Sequence, residues 1–280
     1  MRVVRHTDAA AFSRIVTPLL TRAEAENNLP LGICAGLEAG PPPKRPPYLA
    51  TLESDKRVVA VAIMTPPYKL VLTMAPHEAL DAVCEDLLAD DLSVPGVVGP
   101  VDVAEPFAAL WGRRTGADVG LDHRLRIYQL TSVVPPRPVT GRLRQCGVGD
   151  LATVEPWARA FILETRLTDD PAEIAESARR AVREGRLYVW DDAGPRAMAA
   201  WTGPTPNGAR ITLVYTPPAL RGRGYASACV AALSAVLLGS NRKYCFLFTD
   251  LANPTSNSIY MKLGYRPVCD VHEYRFDRRR

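Results

Sequence analysis

The sequence predicts a mixed α/β protein of two modules, each a twisted, mostly antiparallel sheet flanked by helices. Three observations carry that prediction. The second half alternates apolar strand-like runs with helix-like stretches in a definite order. The first half repeats part of that order. The chain, at 280 residues with 47% hydrophobic and 23% charged, is long enough for one large or two ordinary domains. The proline-rich stretch "VVPPRPVTG" (Val133–Gly141) reads as a linker, because proline there opposes both helix and central strand. It divides the chain near residue 137, into 1–137 and 138–280.

The second half is the more legible. "GRLRQC" reads as a short strand, and "DLATVEPWARAFILET" and "DPAEIAESARRAVREG" as helices. The second of these has Asp170 as its cap, Pro171 as its first helical residue and Gly185 as its stop. "RLYVWDD", "RAMAAWTG" and "ARITLVYT" are strands joined by turn-forming Asp, Gly, Pro and Asn. The helix "YASACVAALSAVLLG", the strand "KYCFLFTD", the helix "PTSNSIYMKLG" and two strands, "YRPVC" and "HEYRF", complete it. Three antiparallel strands followed by βα units imply a mixed sheet covered by helices.

The first half echoes this. "YLATLESDKRVVAVAIMTPPYKLVLTM" gives strand, charged turn, strand, proline break, strand, as "RLYVWDD…LVYT" does. "PGVVGPVDVAEPFAALWGRRTG" matches "YCFLFTDLANPTSNSIYMKLG" as a strand followed by a helix ending in glycine. "GPPPKRPP" (Gly40–Pro47) reads as an extended polyproline loop. The duplicated half differs at one place. After "KLVLTM" stands "APHEALDAVCEDLLADD", acidic and without glycine.

Composition excludes several classes. No apolar run approaches the ~18 residues that span a bilayer. "MRVVRHTDAAAF" lacks the apolar core of a secretory signal, so a cytoplasmic protein without membrane association is the expectation. None of the six cysteines forms a CxxC pair or neighbours a histidine at zinc spacing, and the four histidines do not cluster. No metal is expected. The net charge of +4 is uneven: residues 1–137 hold 14 Lys/Arg against 16 Asp/Glu, and residues 138–280 hold 20 against 14. An anionic ligand therefore fits the second half better. The arginines are scattered without interleaved aromatics, so no nucleic-acid partner is expected.

The stretch "LVYTPPALRGRGYASACVAAL" (Leu213–Leu233) concentrates donors. Pro217 and Pro218 end the strand. Gly222 and Gly224 let the backbone approach a ligand closely. The following helix leaves its first N–H groups unsatisfied, and Arg221 and Arg223 add charge-assisted donors. Together they make a seat for a diphosphate. Without a ligand, the same stretch is a tight strand–helix turn with glycine for geometry and arginine for solubility. It is neither a GxxxxGK[ST] loop nor a GxGxxG fingerprint, since Ser227 stands at the third glycine position.

The second constellation is "NPTSNSIYMKLGY". Asn253 can cap a helix that begins at Pro254 and stops at Gly264. Asn253, Asn257 and Tyr260 then share one face. A phenol there can serve as a general acid, and an amide can fix a peptide-like ligand segment; otherwise the stripe is a solvated helix face.

Arg221-x-x-Gly224-x-Ala226 after a strand, followed by Asn253-x-x-Ser256-Asn257-x-x-Tyr260-x-x-x-Gly264-Tyr265, resembles the GNAT superfamily of acetyl-CoA-dependent N-acetyltransferases. The resemblance covers the whole second half. The first half resembles a degenerate copy lacking the pyrophosphate loop, as in tandem GNAT proteins. The resemblance implies acetyl-CoA as co-substrate, held by the backbone of Val214, Tyr215 and Thr216 along its pantetheine arm. It implies a pyrophosphate on Arg221, Gly222, Arg223, Gly224, Tyr225 and Ala226. Asn253, Ser256 and Asn257 would contact the cofactor, and Tyr260 would protonate the departing thiolate. A primary amine of a small molecule or protein would attack directly. No firm general base stands out; Glu164, Glu155 and Asp250 are the candidates, with water as another. The rival expectations are a non-catalytic acyl-CoA-binding regulatory module and an aminoacyl-tRNA-dependent transferase, the latter opposed by the modest charge.

Overall fold

The structure, a computed structural model, describes residues 1–40, 43–166 and 171–277. The Asp170 cap, part of the Gly40–Pro47 loop and the closing arginines lie outside the described residues. The chain runs twice through one sequence of elements. The first pass is β1 (Arg2–Arg5), α1 (Ala9–Leu20), α2 (Asn28–Ala39), β2 (Tyr48–Ser54), β3 (Arg57–Met64), β4 (Leu70–Leu72), α3 (His77–Ala89), β5 (Gly96–Pro100), α4 (Val101–Thr115) and β6 (Asp118–Leu130). The second is β7 (Arg142–Gln145), α5 (Leu151–Thr165), α6 (Pro171–Arg183), β8 (Leu187–Asp191), β9 (Pro195–Thr202), β10 (Gly208–Tyr215), α7 (Tyr225–Gly239), β11 (Tyr244–Asp250), α8 (Pro254–Lys262) and β12 (Arg266–Asp277).

Two compact units result. One comprises Met1–Tyr128, Phe248–Asn253 and the chain from Pro267; the other comprises Gln129–Leu247 and Pro254–Arg266. The sequence reading placed a single cut near residue 137. Here the chain leaves the first unit after Tyr128, and its C-terminal strand returns to that unit. The expected pair "YRPVC" and "HEYRF" is one continuous strand, β12, because Asp270 and Val271 between them stay extended. Its residues Val271–Arg275 pair antiparallel with Pro100–Gly96 of β5.

In the first unit the strands lie in the order β1-β2-β3-β4-β5-β12-β6. The β2–β3 hairpin closes on Asp55 and Lys56, both at positive φ, the twist that suits a two-residue hairpin loop. Alternation sends Tyr48, Ala50 and Leu52 to one face, against Leu80, Val83 and Phe107 of α3 and α4. Leu49, Val61 and Ile63 face Phe12, Val16 and Leu31 of α1 and α2 on the other. Each such fully buried side chain stabilises by about 1.5–3 kcal/mol.

The second unit orders β11-β10-β9-β8-β7. Val154 and Ala158 of α5 and Ala178 and Val182 of α6 cover Val189, Met198, Leu213 and Tyr215. The unit thereby presents the C-terminal end of β10 beneath α5.

Candidate functional site

The end of β10 is irregular in a way its sequence does not announce. Thr212 faces Ala200 of β9, yet Tyr215 faces Met198, so three steps on β10 match two on β9. The extra residue is a bulge at Leu213, whose φ is +49°. On the other side β10 pairs in parallel with β11 only over Gly208–Arg210, opposite Tyr244–Phe246. Its last five residues therefore run on with no β11 partner among the described residues. On the β11 side, the backbone of Val214 and Tyr215 has no β11 partner among the described residues, while Tyr215 still pairs with Met198 of β9 on the other side. Thr216 Oγ1 is shut off from solvent and has no hydrogen-bond partner among the described residues. A buried hydroxyl left unmatched is costly, and a polar ligand atom would satisfy it.

From Thr216 the chain makes a single 3-10 turn, Pro218–Leu220, before the loop. Gly222 and Gly224 take φ of +75° and +84°, as the donor-rich reading requires. A Cβ on Gly224 would also stand 3.0 Å from Val139 Cγ1. Helix α7 has no side-chain cap and no acidic residue in its first turn. Its first internal bond runs from Ala228 N–H to Gly224 carbonyl, at 3.0 Å. The N–H groups of Tyr225, Ala226 and Ser227 thus precede the helical ladder, at the positive end of the helix dipole. The Tyr225 hydroxyl is committed elsewhere, donating to Asp192 Oδ2 at 3.0 Å, so only its backbone is available to a ligand.

Two predicted residues meet here that the sequence separates by 57 positions. Arg221 Nη2 donates to both oxygens of Glu164, at 2.8 and 2.7 Å. Arg221 Nε donates to the Thr216 carbonyl at 2.9 Å, and the guanidinium lies 5.6 Å from the Tyr215 ring centroid. Tyr215 packs in turn on Trp157, centroids 6.3 Å apart, and its phenol is pushed up by burial and by Glu164. Trp157, Phe161 and Glu164 lie at i, i+4 and i+7 of α5, one stripe above the end of β10. Trp157 was missed by the sequence reading, although that spacing was available to find it.

Helix α8 begins at Pro254, directly after Asn253, with Ser256 and Asn257 half-buried in its first turns. Tyr260 is 8% exposed and edge-on to Tyr265, centroids 5.9 Å apart. The Tyr265 hydroxyl reaches Ser234 Oγ of α7 at 2.8 Å, which fixes the aromatic pair against that helix. Burial pushes the Tyr260 phenol up to about 12. Gly264 closes the helix at φ +97°.

The other carboxylate candidates have different partners. Glu155 is held by Arg179 at 2.7 and 2.8 Å, tying α5 to α6, and that guanidinium lowers its pKa. Asp250 accepts from Ala252 N–H at 2.7 Å, as a turn residue does. Among the described residues, no three His, Cys, Asp or Glu side chains gather as a metal site would require, and no helix is long and apolar enough to cross a membrane. A shallow cleft does exist in the first unit, lined by Val71, Leu72, Thr73, Val98, Gly99 and Pro100. Its lining is mostly apolar, with Glu26, Asn27 and Thr73 as the polar members and no Lys or Arg for an anion, whereas the β10–α7 junction offers Arg221 and the two-glycine loop.

Residues 190–276 match the model of the FR47-like protein family. No curated protein matches the chain in sequence. A Drosophila protein superposes with a TM-score of 0.70 at 11% identity over 98% of each chain. A GCN5-related N-acetyltransferase from Sphaerobacter thermophilus gives 0.64 at 16% identity, over 99% of this chain and 96% of that one. A tandem GNAT protein from the clavulanic acid biosynthesis pathway gives 0.59 at 16% identity over 98% of each.

Proposed function

We propose that this chain, which has the GNAT fold, moves an acetyl group from acetyl-CoA to a primary amine, with the site in its second unit. The first unit is then a degenerate copy without the diphosphate seat. One observation supports this above the rest: a bulged, half-unpaired strand end running into a two-glycine loop at an uncapped helix start.

The residues divide the work as follows. The β11-facing backbone edge of Val214 and Tyr215, continued by Thr216, holds the amide-rich arm of the donor as an added strand would. One N–H there polarises the thioester carbonyl, a contribution of about 3–4 kcal/mol in comparable oxyanion sites. The orphaned Thr216 hydroxyl and the bare N–H groups of Tyr225 and Ala226 fit a ligand with a polar arm and a diphosphate. Asn253, Ser256 and Asn257 belong to the same cofactor set. The neutral amine attacks the carbonyl carbon, the C–N bond forms, the C–S bond breaks, the nitrogen gives up one proton to water, and the departing thiolate takes one up.

Tyr260 is the residue nearest that last step in role. A phenol raised to about 12 holds its proton more tightly than a thiol near 8.5 does. It therefore stabilises the developing thiolate chiefly as a hydrogen-bond donor.

A second reading, a non-catalytic acyl-CoA sensor, has one observation in its favour: both Glu164 oxygens are engaged by Arg221. One experiment separates the two. At about 100 times Kd, acetyl-CoA should stabilise the folded chain by about 2.7 kcal/mol, read by denaturant unfolding. Release of free thiol with a panel of primary amines then supports transfer. Binding without turnover on any amine supports the sensor, and folded protein that does not bind removes both.

A further inference from the structure

The Arg221 side chain closes two parts of the proposed cofactor site at once. Its Nη2 is spent on Glu164, and its Nε on the Thr216 carbonyl. The first commitment withdraws donors from the diphosphate seat. The second covers a backbone acceptor that the donor's amide arm would use. The ion pair is not a strong commitment: the Arg221 and Glu164 side chains are 47% and 46% exposed, and solvent screens such a pair.

We propose that Glu164 is a positioning residue rather than the base. It stores Arg221 in the ligand-free chain and yields it to the diphosphate. The inference rests on the acetyl-CoA reading above. A diphosphate offers more charge and more acceptor oxygens than one carboxylate, so the exchange runs toward the ligand. When Arg221 leaves, the Thr216 carbonyl is uncovered in the same movement, so the two subsites open together. Glu164 remains as a negative charge beside an incoming anion. It therefore sets a threshold that weak anions do not cross.

The test uses the full chain with acetyl-CoA and inorganic diphosphate as probes, by calorimetry. Glu164→Gln, which keeps the side chain's shape, should tighten both by up to about fivefold, because the stored pair no longer competes. Arg221→Ala should weaken both by about tenfold, because a charge-assisted partner is lost. In wild-type protein the Arg221 Nε–H resonance should move when inorganic diphosphate is added. A Glu164→Gln affinity that is unchanged or weaker overturns the proposal, as does an Arg221→Ala affinity that is unchanged or an Nε–H resonance that stays in place. A base role alone leaves both anion affinities where they are. Binding of inorganic diphosphate without acetyl-CoA leaves the exchange standing and removes the acetyl-CoA reading; binding of neither overturns both.

Discussion

The two strand-to-helix junctions, β4 to α3 and β10 to α7, begin alike and end differently. Each strand pairs antiparallel with the strand before it and parallel with the one after the helix. In the first unit only Thr73–Pro76 separate strand from helix. Thr73 Oγ1 there accepts the Val61 N–H at 2.9 Å, so its hydroxyl is used to finish the sheet. Helix α3 then starts with Glu78 in its first turn, which places negative charge where an anion would sit. In the second unit Thr216–Gly224 intervene, the corresponding threonine hydroxyl is orphaned, and the first turn has no acid. The same strand–helix frame carries both junctions; five extra residues, nine against four, and one bulge distinguish them.

The largest effect expected is from removing the two positive-φ glycines that the first junction lacks. Gly222→Val with Gly224→Val puts two β-branched residues at φ near +80°, at about 1–3 kcal/mol of strain each. The loop relieves that strain by giving up the conformation that aims its N–H groups. Acetyl-CoA affinity should fall by about 10²–10⁴-fold in calorimetry, with the circular dichroism of the chain retained. Affinity within threefold of wild type would mean that the loop is a turn and nothing more.

The next effect concerns α4 and α8. Counted from the helix start, the seventh residue is Phe107 in α4 and Tyr260 in α8. The first is fully buried core, and the second differs from it by one hydroxyl. Tyr260→Phe therefore gives α8 the ring that α4 already carries. Loss of about 10²-fold in kcat is expected, the low end of the range for acid catalysts, because the raised phenol donates a hydrogen bond more readily than its proton. Since Tyr260 stays protonated well beyond neutrality, no alkaline limb of the wild-type rate profile below about pH 10 should disappear in the variant. An unchanged kcat takes Tyr260 out of the reaction.

Much of this comparison is legible in the residues themselves. Proline, glycine and alternation mark the ends of β10, α7 and α8, because those signals act within a few positions of one another. Gly222 and Gly224 declare their positive φ by having no side chain. Leu213 does not, since nothing about leucine announces a left-handed bulge; tertiary packing imposes it. The pairing of β12 with β5 joins residues about 175 positions apart, and the sequence divides β12 at Asp270–Val271, where the chain runs straight on. The ion pair of Arg221 with Glu164 is equally non-local. Both residues were picked out, but as diphosphate ligand and base, not as partners.

The smallest effect tests how each unit anchors its first strand. Arg5 of β1 reaches across to Asp86 of α3, at 2.7 Å, and to Asp90 just past the end of that helix, so these acids serve structure. Arg144 of β7 is held locally, by Asp150 at 2.8 and 2.9 Å and Asp191 at 2.8 Å. Hydrogen bonds from Arg144 lower the pKa of both carboxyl groups. A carboxylate with a lowered folded pKa contributes stability that is complete above its unfolded value, near 4, and is lost as pH falls through the folded one. Arg144→Met should cost about 1–2 kcal/mol at pH 7, the pair being only partly screened from water. That deficit should shrink as the pH drops below about 4, because wild type then loses the same contribution. Arg5→Met, whose partner Asp90 is 55% exposed, should cost less, about 0.5–1 kcal/mol. Urea unfolding of both variants at pH 7 and pH 3 reads the difference. A deficit for Arg144→Met that is equal at the two pH values would show that packing of the arginine stem, and not its charge, ties β7 to its neighbours.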